Sequence, residues 1–460
     1  MGVPTIDERA KQALIKIALE AEWEAKFEPN SYGFRPGRST HDAIGAIFNA
    51  IRYKPKYVLD ADIAKCFDRI DHQKLLEKLN TSPTCRRQIK VWLKSGYMEG
   101  EKLFPTDEGT PQGGVASPLL ANVALHGMEK LLNEYAPYID MRDKRAHQQA
   151  RSHKIRSLSV IRYADDLVVL HEDRRVVEKC KELLESWLKD IGLEFKESKT
   201  QIVHTLKKTE KEPGFNFLGF QIRQFQTSKY KSGNDSQGNR LCFKTIIQPS
   251  KEAINRHHLN LKEVISQHKG KSQTKLIQTL TPKIRGWCNY YRAVCSSETF
   301  YRFDLLIWQN LWAWAKRRHP NKGKYWITNK YWKTVGNDRW VFANNGSNPL
   351  YLIKHGQIKI VRHEKVKVEA SPLDGNWIYW ATRIGKHPEL SNRVAWLLKW
   401  QQGKCSYCKL FFKDEDLMEI DHMIPKSLGG LDIKQNLQLL HRHCHDIKTQ
   451  QDGSLKKRYE

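Results

Sequence analysis

The stretch that decides the fold is Arg162-Tyr163-Ala164-Asp165-Asp166-Leu167-Val168-Val169-Leu170, preceded by Leu158-Ser159-Val160-Ile161. Two apolar, β-branched runs flank a pair of adjacent carboxylates. The segment from Arg156 to His171 therefore reads as two strands around a tight centre at Ala164-Asp165-Asp166. Adjacent acids at a hairpin tip make each other harder to ionise unless a cation holds them. A third acid, Asp62, closes the run Tyr57-Val58-Leu59-Asp60-Ala61-Asp62, also a strand by pattern. Nucleotidyl transfer uses two Mg²⁺ about 4 Å apart, held by two or three carboxylates on neighbouring strands. A lone Asp-Asp pair is usually a solvated turn. The apolar strands and the companions below favour a metal site instead.

Working outward, residues 1–30 carry a helical pattern and 31–41 form a basic, turn-rich loop. A helix starts near Asp71, with Leu75, Leu76 and Leu79 on one face. Pro118 opens a helix running to Leu132. Another spans about Arg175 to Leu188, and residues 195–203 and 215–223 read as short strands. Residues 226–240 are polar and Gly-rich, a linker or hairpin. Residues 250–318 read as mostly helical. Residues 319–392 mix short strands with basic, Trp-bearing loops, and 393–455 form a compact unit with its own metal-ligand pattern. The expected domains are 1–225, 226–335, 336–392 (a basic DNA-binding or linker region) and 393–460.

The bulk composition agrees with a nucleic-acid partner. Lys and Arg total 78 against 51 Asp and Glu, a net charge of +27, which points to a polyanion. Fourteen Trp and 17 Tyr suit stacking on unpaired bases. At 28% charged residues and without a long apolar run, the chain is not expected to enter a membrane. The nine cysteines are odd in number and scattered, so they form no disulfide framework and imply a reducing, cytoplasmic setting, bacterial or organellar. No secretory leader is expected from Gly2-Val3-Pro4-Thr5.

Only Cys405, Cys408 and Cys444 cluster. Cys405-Ser-Tyr-Cys408 is one knuckle, and His441 precedes Cys444 by the same gap. Such a set makes a closed tetrahedral Zn²⁺ site, with His441 rather than His443 as fourth ligand by spacing.

Six blocks together resemble the group II intron reverse transcriptases: SYGFRPGRSTHDAI (31–44), DADIAKCFDRIDH (60–72), GTPQGGVASPLLANVALHGME (109–129), RYADDLVVL (162–170), SKTQIVH (198–204) and FNFLGF (215–220). The resemblance runs over essentially the whole chain. It implies a multidomain α+β fold: right-hand polymerase palm and fingers, a helical thumb (maturase domain X) and a small zinc-containing ββα-metal domain. By this resemblance Asp62, Asp165 and Asp166 are the catalytic carboxylates binding two Mg²⁺, with Asp60 and Asp68 as flanking acids. Phe67 would stack under the incoming sugar and exclude a 2′-hydroxyl; its bland alternative is a core phenylalanine. Gln112 would line the nucleotide pocket beside Gly113-Gly114. Arg35, Arg38 and Lys199 would meet phosphates, and Phe217-Leu218-Gly219-Phe220 would form a primer grip. TPKIRGWCNYYR (281–292) resembles the maturase domain. Arg285, Trp287, Tyr290, Tyr291 and Arg292 there mix cations with rings, a surface for RNA. Trp308, Leu311, Trp312 and Ala315 fall at helical spacing, as core residues do.

Between the knuckles, Glu419-Ile420-Asp421-His422, Gly429-Gly430, Asn436 and then His445 resemble the HNH nuclease motif. This implies His422 as general base, Asp421 and His445 as ligands of one Mg²⁺ or other divalent ion, and Asn436 fixing the loop that orients His422. A purely structural zinc finger would not need these extra residues.

The start, Gly2-Val3-Pro4-Thr5-Ile6, resembles the middle of the family's second fingers block, so the fingers are expected to be partial. The implied function is an intron-encoded RNA-directed DNA polymerase and maturase. It would bind intron RNA, target DNA and deoxynucleoside triphosphates, promote splicing, cut the target strand and prime synthesis from it; a dimer is left open. The rivals are a splicing factor that only binds RNA, an RNA-dependent RNA polymerase, and a nuclease carrying a dead polymerase.

Overall fold

A computed structural model describes residues 4–99, 102–104, 109, 113–142, 145–345, 349–386, 390–413 and 415–452. Its contacts gather into two compact units. One comprises Met1–Gln12, Asn30–Phe34 and Ser39–Val366; the other comprises Ala13–Pro29, Arg35–Arg38 and Lys367–Glu460. No helix among the described residues is long and apolar enough to cross a membrane.

Helix α1 (Ile6–Lys26) contributes residues to both units. In the first unit follow α2 (Thr40–Ile51), β1 (Tyr57–Asp62), the short α3 (Cys66–Arg69) and α4 (His72–Leu79). Asp71 caps α4, its carboxylate accepting from the Lys74 amide at 2.7 Å, and Leu75, Leu76 and Leu79 face inward. α5 (Pro83–Lys94) opens on a proline, where the missing N–H would have had no helical partner. A small hairpin, β2 (Tyr97–Glu99) and β3 (Lys102–Phe104), comes next.

The single helix expected from Pro118 to Leu132 is in fact two, α6 (Ser117–Leu125) and α7 (Met128–Tyr135). Gly127 between them takes φ +108°, which no ordinary side chain tolerates well, and the chain turns there. Residues 151–157 form α8 (Arg151–Ser157), so the first deciding strand begins later than Arg156, as β4 (Ser159–Tyr163); β5 (Asp166–His171) follows. α9 (Arg174–Lys189) buries the stripe Val176, Val177, Cys180, Leu184 and Leu188. The strand expected over 195–203 is shorter, β6 (Gln201–His204), because residues 197–199 coil into a 3₁₀ turn.

These strands make one antiparallel sheet in the order β4-β5-β1-β6. α9 lies against β1 and β5, and α2 against β4. Val58, Leu59, Val168, Val169 and Leu170 are wholly buried, each contributing about 1.5–3 kcal/mol relative to exposure. A second sheet joins β7 (Phe215–Phe217), β8 (Phe220–Gln226) and β9 (Phe243–Pro249), with the polar stretch 227–242 linking the last two.

Three long helices follow: α10 (Lys251–Gln267), α11 (Gln273–Tyr291) and α12 (Ser297–Arg318). Then come α13 (Lys324–Tyr331) and the pair β10 (Trp332–Val335) and β11 (Asp338–Phe342). Leu261, Ile277, Leu280, Ile284, Phe300 and Phe303 form their core. Leu311 and Ala315 are buried, as helical spacing suggests. Trp308 is not: it sits half exposed and stacks on Trp312 at 5.8 Å, while Trp314 fills the core instead.

The second unit contains α14 (Trp377–Ile384), α15 (Asn392–Trp400), β12 (Met418–His422), β13 (Leu437–His441) and α16 (Arg442–Gln451). β12 and β13 pair antiparallel and α16 follows directly, a ββα unit. Ile378, Leu397, Leu398, Phe412, Leu439, Cys405 and Cys444 share its core.

Candidate active sites

The sheet register sets Asp62, the last residue of β1, directly opposite Asp166, the first of β5. Asp165 occupies the turn between β4 and β5, and its carbonyl accepts from the Ile63 amide at 3.1 Å, tying the turn to β1. The three acids expected at one site are thus brought together. Asp60 lies two residues back on the same side of β1 and is bound by the Gln201 amide at 3.0 Å. Asp68 is exposed on α3.

The electrostatics are those of a site short of positive charge. Burial and the neighbouring charges of Asp165 and Asp62 push the Asp166 carboxyl up to about 6. Burial raises Asp165 as well, and pushes Asp60 up to about 6. Lys199 supplies a cation here, its ammonium forming a close ion pair with Asp62. This clustering of acids that resist ionisation fits divalent cations, which would restore the charge balance.

A buried brace holds the turn, and sequence reasoning missed it. Arg162 donates to Asn122 Oδ1 at 3.0 Å, to the Ala164 carbonyl at 3.1 Å and to Ser31 Oγ at 2.8 Å. Asn122 in turn donates to the Gly33 carbonyl at 2.7 Å. The Tyr32 amide donates to the Arg162 carbonyl at 2.9 Å and the Arg162 amide donates to the Asn30 carbonyl at 3.0 Å, so Ser31-Tyr32-Gly33 is scaffold along the edge of β4, not free loop. Gly33 must be glycine: a Cβ there would stand 2.3 Å from the Ala164 nitrogen. Ala164 itself takes φ +56°, a cost of about 1 kcal/mol that the brace offsets.

Several expected binding residues are engaged elsewhere. Arg35 was expected at phosphates, yet its guanidinium is buried and bonded twice to Glu24 at 2.8 Å. Arg38 donates to the carbonyls of Pro29, Val368 and Ala370, which closes a loop and leaves no fork for a phosphate. Tyr291 is buried, its hydroxyl donating to the Gly219 carbonyl at 3.2 Å, and Tyr290 donates to Leu218 at 2.9 Å. These bonds cap the tight turn at Phe217-Leu218-Gly219-Phe220. Trp287 is partly buried and stacks on His257 at 4.5 Å and 3°, among Phe300, Phe303 and His355, so packing takes one of its faces. Arg285 is exposed. Phe67 is half buried, edge-on to Phe34 at 6.1 Å. Gln112 lies outside the described residues; Gly113 beside it takes φ +109°.

In the second unit the donor atoms of Cys405, Cys408, His441 and Cys444 lie within 4.8 Å of one another. His441, not His443, joins them: its Nδ1 is 3.3 Å from Cys408 Sγ, while its Nε2 meets Asp416 at 3.3 Å. A carboxylate on the outer nitrogen fixes the tautomer of a metal-bound imidazole. His443 is exposed and stacks on His441. Burial and the neighbouring cysteines push the Cys444 thiol up to about 12, while hydrogen bonds hold the Cys405 thiol below its ordinary value despite its burial; three thiols and an imidazole at this spacing fit Zn²⁺.

At the other end of β12 stands His422. Its Nε2 meets Asp432 at 3.3 Å, and Lys448 donates to its carbonyl at 3.0 Å. Asp421 accepts from Lys448 at 3.0 Å and from Gln438 at 2.8 Å, with His445 Nε2 3.6 Å away. His445 Nδ1 is held by Glu419 at 2.6 Å. Asn436 accepts from the Ile424 amide and donates to the carbonyls of Ile424 and Leu431. Asp432 and Lys448 were not anticipated, since no spacing rule reaches across the loop, and Glu419 was part of the motif but without a role.

The chain thus carries a three-carboxylate palm and a ββα unit beside a Cys/His cluster that could hold zinc. Family models match in the same order: reverse transcriptase (RNA-dependent DNA polymerase) over residues 1–222, group II intron maturase-specific domain over 254–332, and HNH endonuclease over 405–451. The group II intron-encoded protein LtrA of Lactococcus lactis is 27% identical over 373 residues, 67% of this chain and 60% of LtrA. Protein YkfC of Escherichia coli is 30% identical over 246 residues, 48% of this chain and 62% of YkfC. The chain thus spans about 60% of the length of these relatives. A solved telomerase structure from Candida tropicalis aligns at 15% identity with a TM-score of 0.34, over 53% of this chain and 45% of that one, too loosely to bear on the argument. The chain carries the domain set of a group II intron reverse transcriptase/maturase with a C-terminal HNH domain.

Proposed function

We propose that the protein is the RNA-directed DNA polymerase and maturase of a mobile group II intron, and that it also cuts target DNA. The observation that carries this reading is the register that sets Asp62 opposite Asp166, with Asp165 in the adjoining turn. On this reading residues 1–225 form palm and fingers elements, 226–335 the thumb, 336–392 a basic DNA-binding or linker region and 393–460 the nuclease.

Asp62, Asp165 and Asp166 would hold two Mg²⁺. Bound there, the ions would activate the primer 3′-oxygen and neutralise the triphosphate. Lys199 would exchange Asp62 for a phosphate oxygen when the carboxylates are so occupied. Phe67 would lie under the sugar and exclude a 2′-hydroxyl, and Gln112 would line the same pocket. Arg285 remains a candidate for intron RNA.

In the second unit Asp421 and His445 would hold one divalent ion against the scissile phosphate. Asp432 holds Nε2 of His422, which leaves Nδ1 to take the proton of the attacking water. Asn436 keeps the loop that positions that ring. Cys405, Cys408, His441 and Cys444 would hold a structural Zn²⁺.

The test is a double dissociation on the intron ribonucleoprotein. Asp165→Asn should abolish DNA synthesis and leave strand cleavage and splicing intact, whereas His422→Ala should do the reverse for cleavage. Loss of both activities in either variant would overturn the assignment.

A further inference from the structure

A cavity of about 310 Å³ opens on the first unit, and none of the palm carboxylates lines it. One face of α2 forms a wall, with His41, Ile44, Gly45 and Phe48 at helical spacing. Ile247 of β9 extends the apolar floor, Cys295 stands at the lip, and Arg362, His363 and Lys365 close the remaining side.

The walls are locked to one another. His41 Nε2 bonds the Tyr290 carbonyl at 2.6 Å, the Cys295 amide donates to Ile247 at 2.9 Å, and the Val361 amide donates to Arg292 at 2.9 Å. Asp42, wholly buried, accepts from His363 Nε2 at 2.9 Å and from the Val366 amide at 2.7 Å. Gly45 sits mid-helix, where glycine costs about 0.5–1 kcal/mol relative to alanine. The Lys365 stem lies along the helix there, in ordinary contact distance (3.4 Å) of where a Cβ would be. The site is therefore preformed, as small-ligand sites usually are, and its volume is at the lower end of their range, roughly 300–1,000 Å³.

Its chemistry is two-sided. The floor is aliphatic and aromatic, while Arg362 is exposed at the rim and, among the described residues, makes no hydrogen bond or ion pair. No acidic side chain lines the cavity. An apolar slot with one unspent guanidinium at its lip, in a chain of net charge +27, matches a flat base attached to a phosphate. We propose that the cavity takes one unpaired nucleotide of a bound strand, its base against Ile44, Phe48 and Ile247 and its phosphate on Arg362. This rests on the reading that the chain binds nucleic acid.

Cys295 reports on it directly. It is exposed at the lip, and Cys242 is an exposed thiol that does not line the cavity. The full chain is alkylated with N-ethylmaleimide, and the rate at each cysteine is read by mass spectrometry as oligouridylate or its deoxy counterpart is added. Total binding is measured on the same samples by filter retention. Several-fold slowing at Cys295 alone, lost in Gly45→Leu and in Arg362→Ala at saturating oligomer, supports the assignment. Protection by RNA only would specify an RNA nucleotide; equal protection by both would specify any unpaired nucleotide. Unchanged labelling at saturation, or protection that survives Arg362→Ala, overturns it. The exposed Arg362 keeps the test usable should Gly45→Leu misfold. Absence of any retention would instead fault the underlying nucleic-acid reading.

Discussion

Replacing Asn436 with alanine should disarm the proposed nuclease centre and leave the Cys/His cluster able to hold zinc. The side chain makes three hydrogen bonds of 2.9, 2.9 and 3.0 Å, to both backbone groups of Ile424 and to the carbonyl of Leu431. Each is worth about 1 kcal/mol net, so their loss costs about 3 kcal/mol, with three backbone groups left to find water. That shifts the order of the loop after His422 by roughly a hundredfold. The loop cannot simply close up, because Gly430 already approaches the Ile424 carbonyl so tightly that a Cβ would stand 1.9 Å from it. Single-turnover cleavage of target DNA should therefore fall about a hundredfold, and the Ile424 amide should lose protection from hydrogen exchange. Zinc content and the melting of β12, β13 and α16 should change little. Near-normal cleavage, or loss of zinc together with activity, would refute the reasoning.

A zinc ion held by Cys405, Cys408, His441 and Cys444 would carry a larger share of the stability of the ββα unit. Cys444 lies in its core, and structural zinc contributes on the order of 10 kcal/mol where it binds. Cys444→Ser or strong chelation should unfold the ββα unit of β12, β13 and α16 in a separate calorimetric transition and leave DNA synthesis in place. Phe67→Val should let ribonucleotides compete with deoxynucleotides in primer extension, with ordinary discrimination arguing for a plain packing role. Lys56 is a stability prediction: burial lowers its ammonium from the ordinary 10.5 to about 8. The folded chain then binds fewer protons than the unfolded chain between about pH 8 and 10.5, so stability rises with pH there. Below pH 8 the full penalty, about 3 kcal/mol, is present. Lys56→Met should raise the melting temperature at pH 7 and remove that rise; a melting curve with the same pH dependence as the parent would contradict this.

Much of the palm was legible because its strands are near-continuous β-branched runs ending on acids. Period and composition alone place Tyr57–Asp62 and the two strands around Ala164-Asp165. The metal knuckles were legible for a different reason, since cysteine spacing is a local signal. What stayed hidden was partnership across the fold. Nothing local says that Arg162 reaches Asn122 and Ser31, that Arg35 is consumed by Glu24, or that the hydroxyls of Tyr290 and Tyr291 cap a turn some 70 residues earlier. In each case a charged or aromatic residue with binding chemistry was used for packing, and only its surroundings distinguish the two. The break at Gly127 was a smaller omission: a glycine inside an apolar helical pattern does not announce a positive φ.

The central claim is the palm. Extension of a DNA primer on an RNA template, with Mg²⁺ and deoxynucleotides, should proceed with the parent chain and vanish with Asp165→Asn while the fold and RNA retention persist. Extension undiminished in Asp165→Asn would contradict the assignment of the three carboxylates.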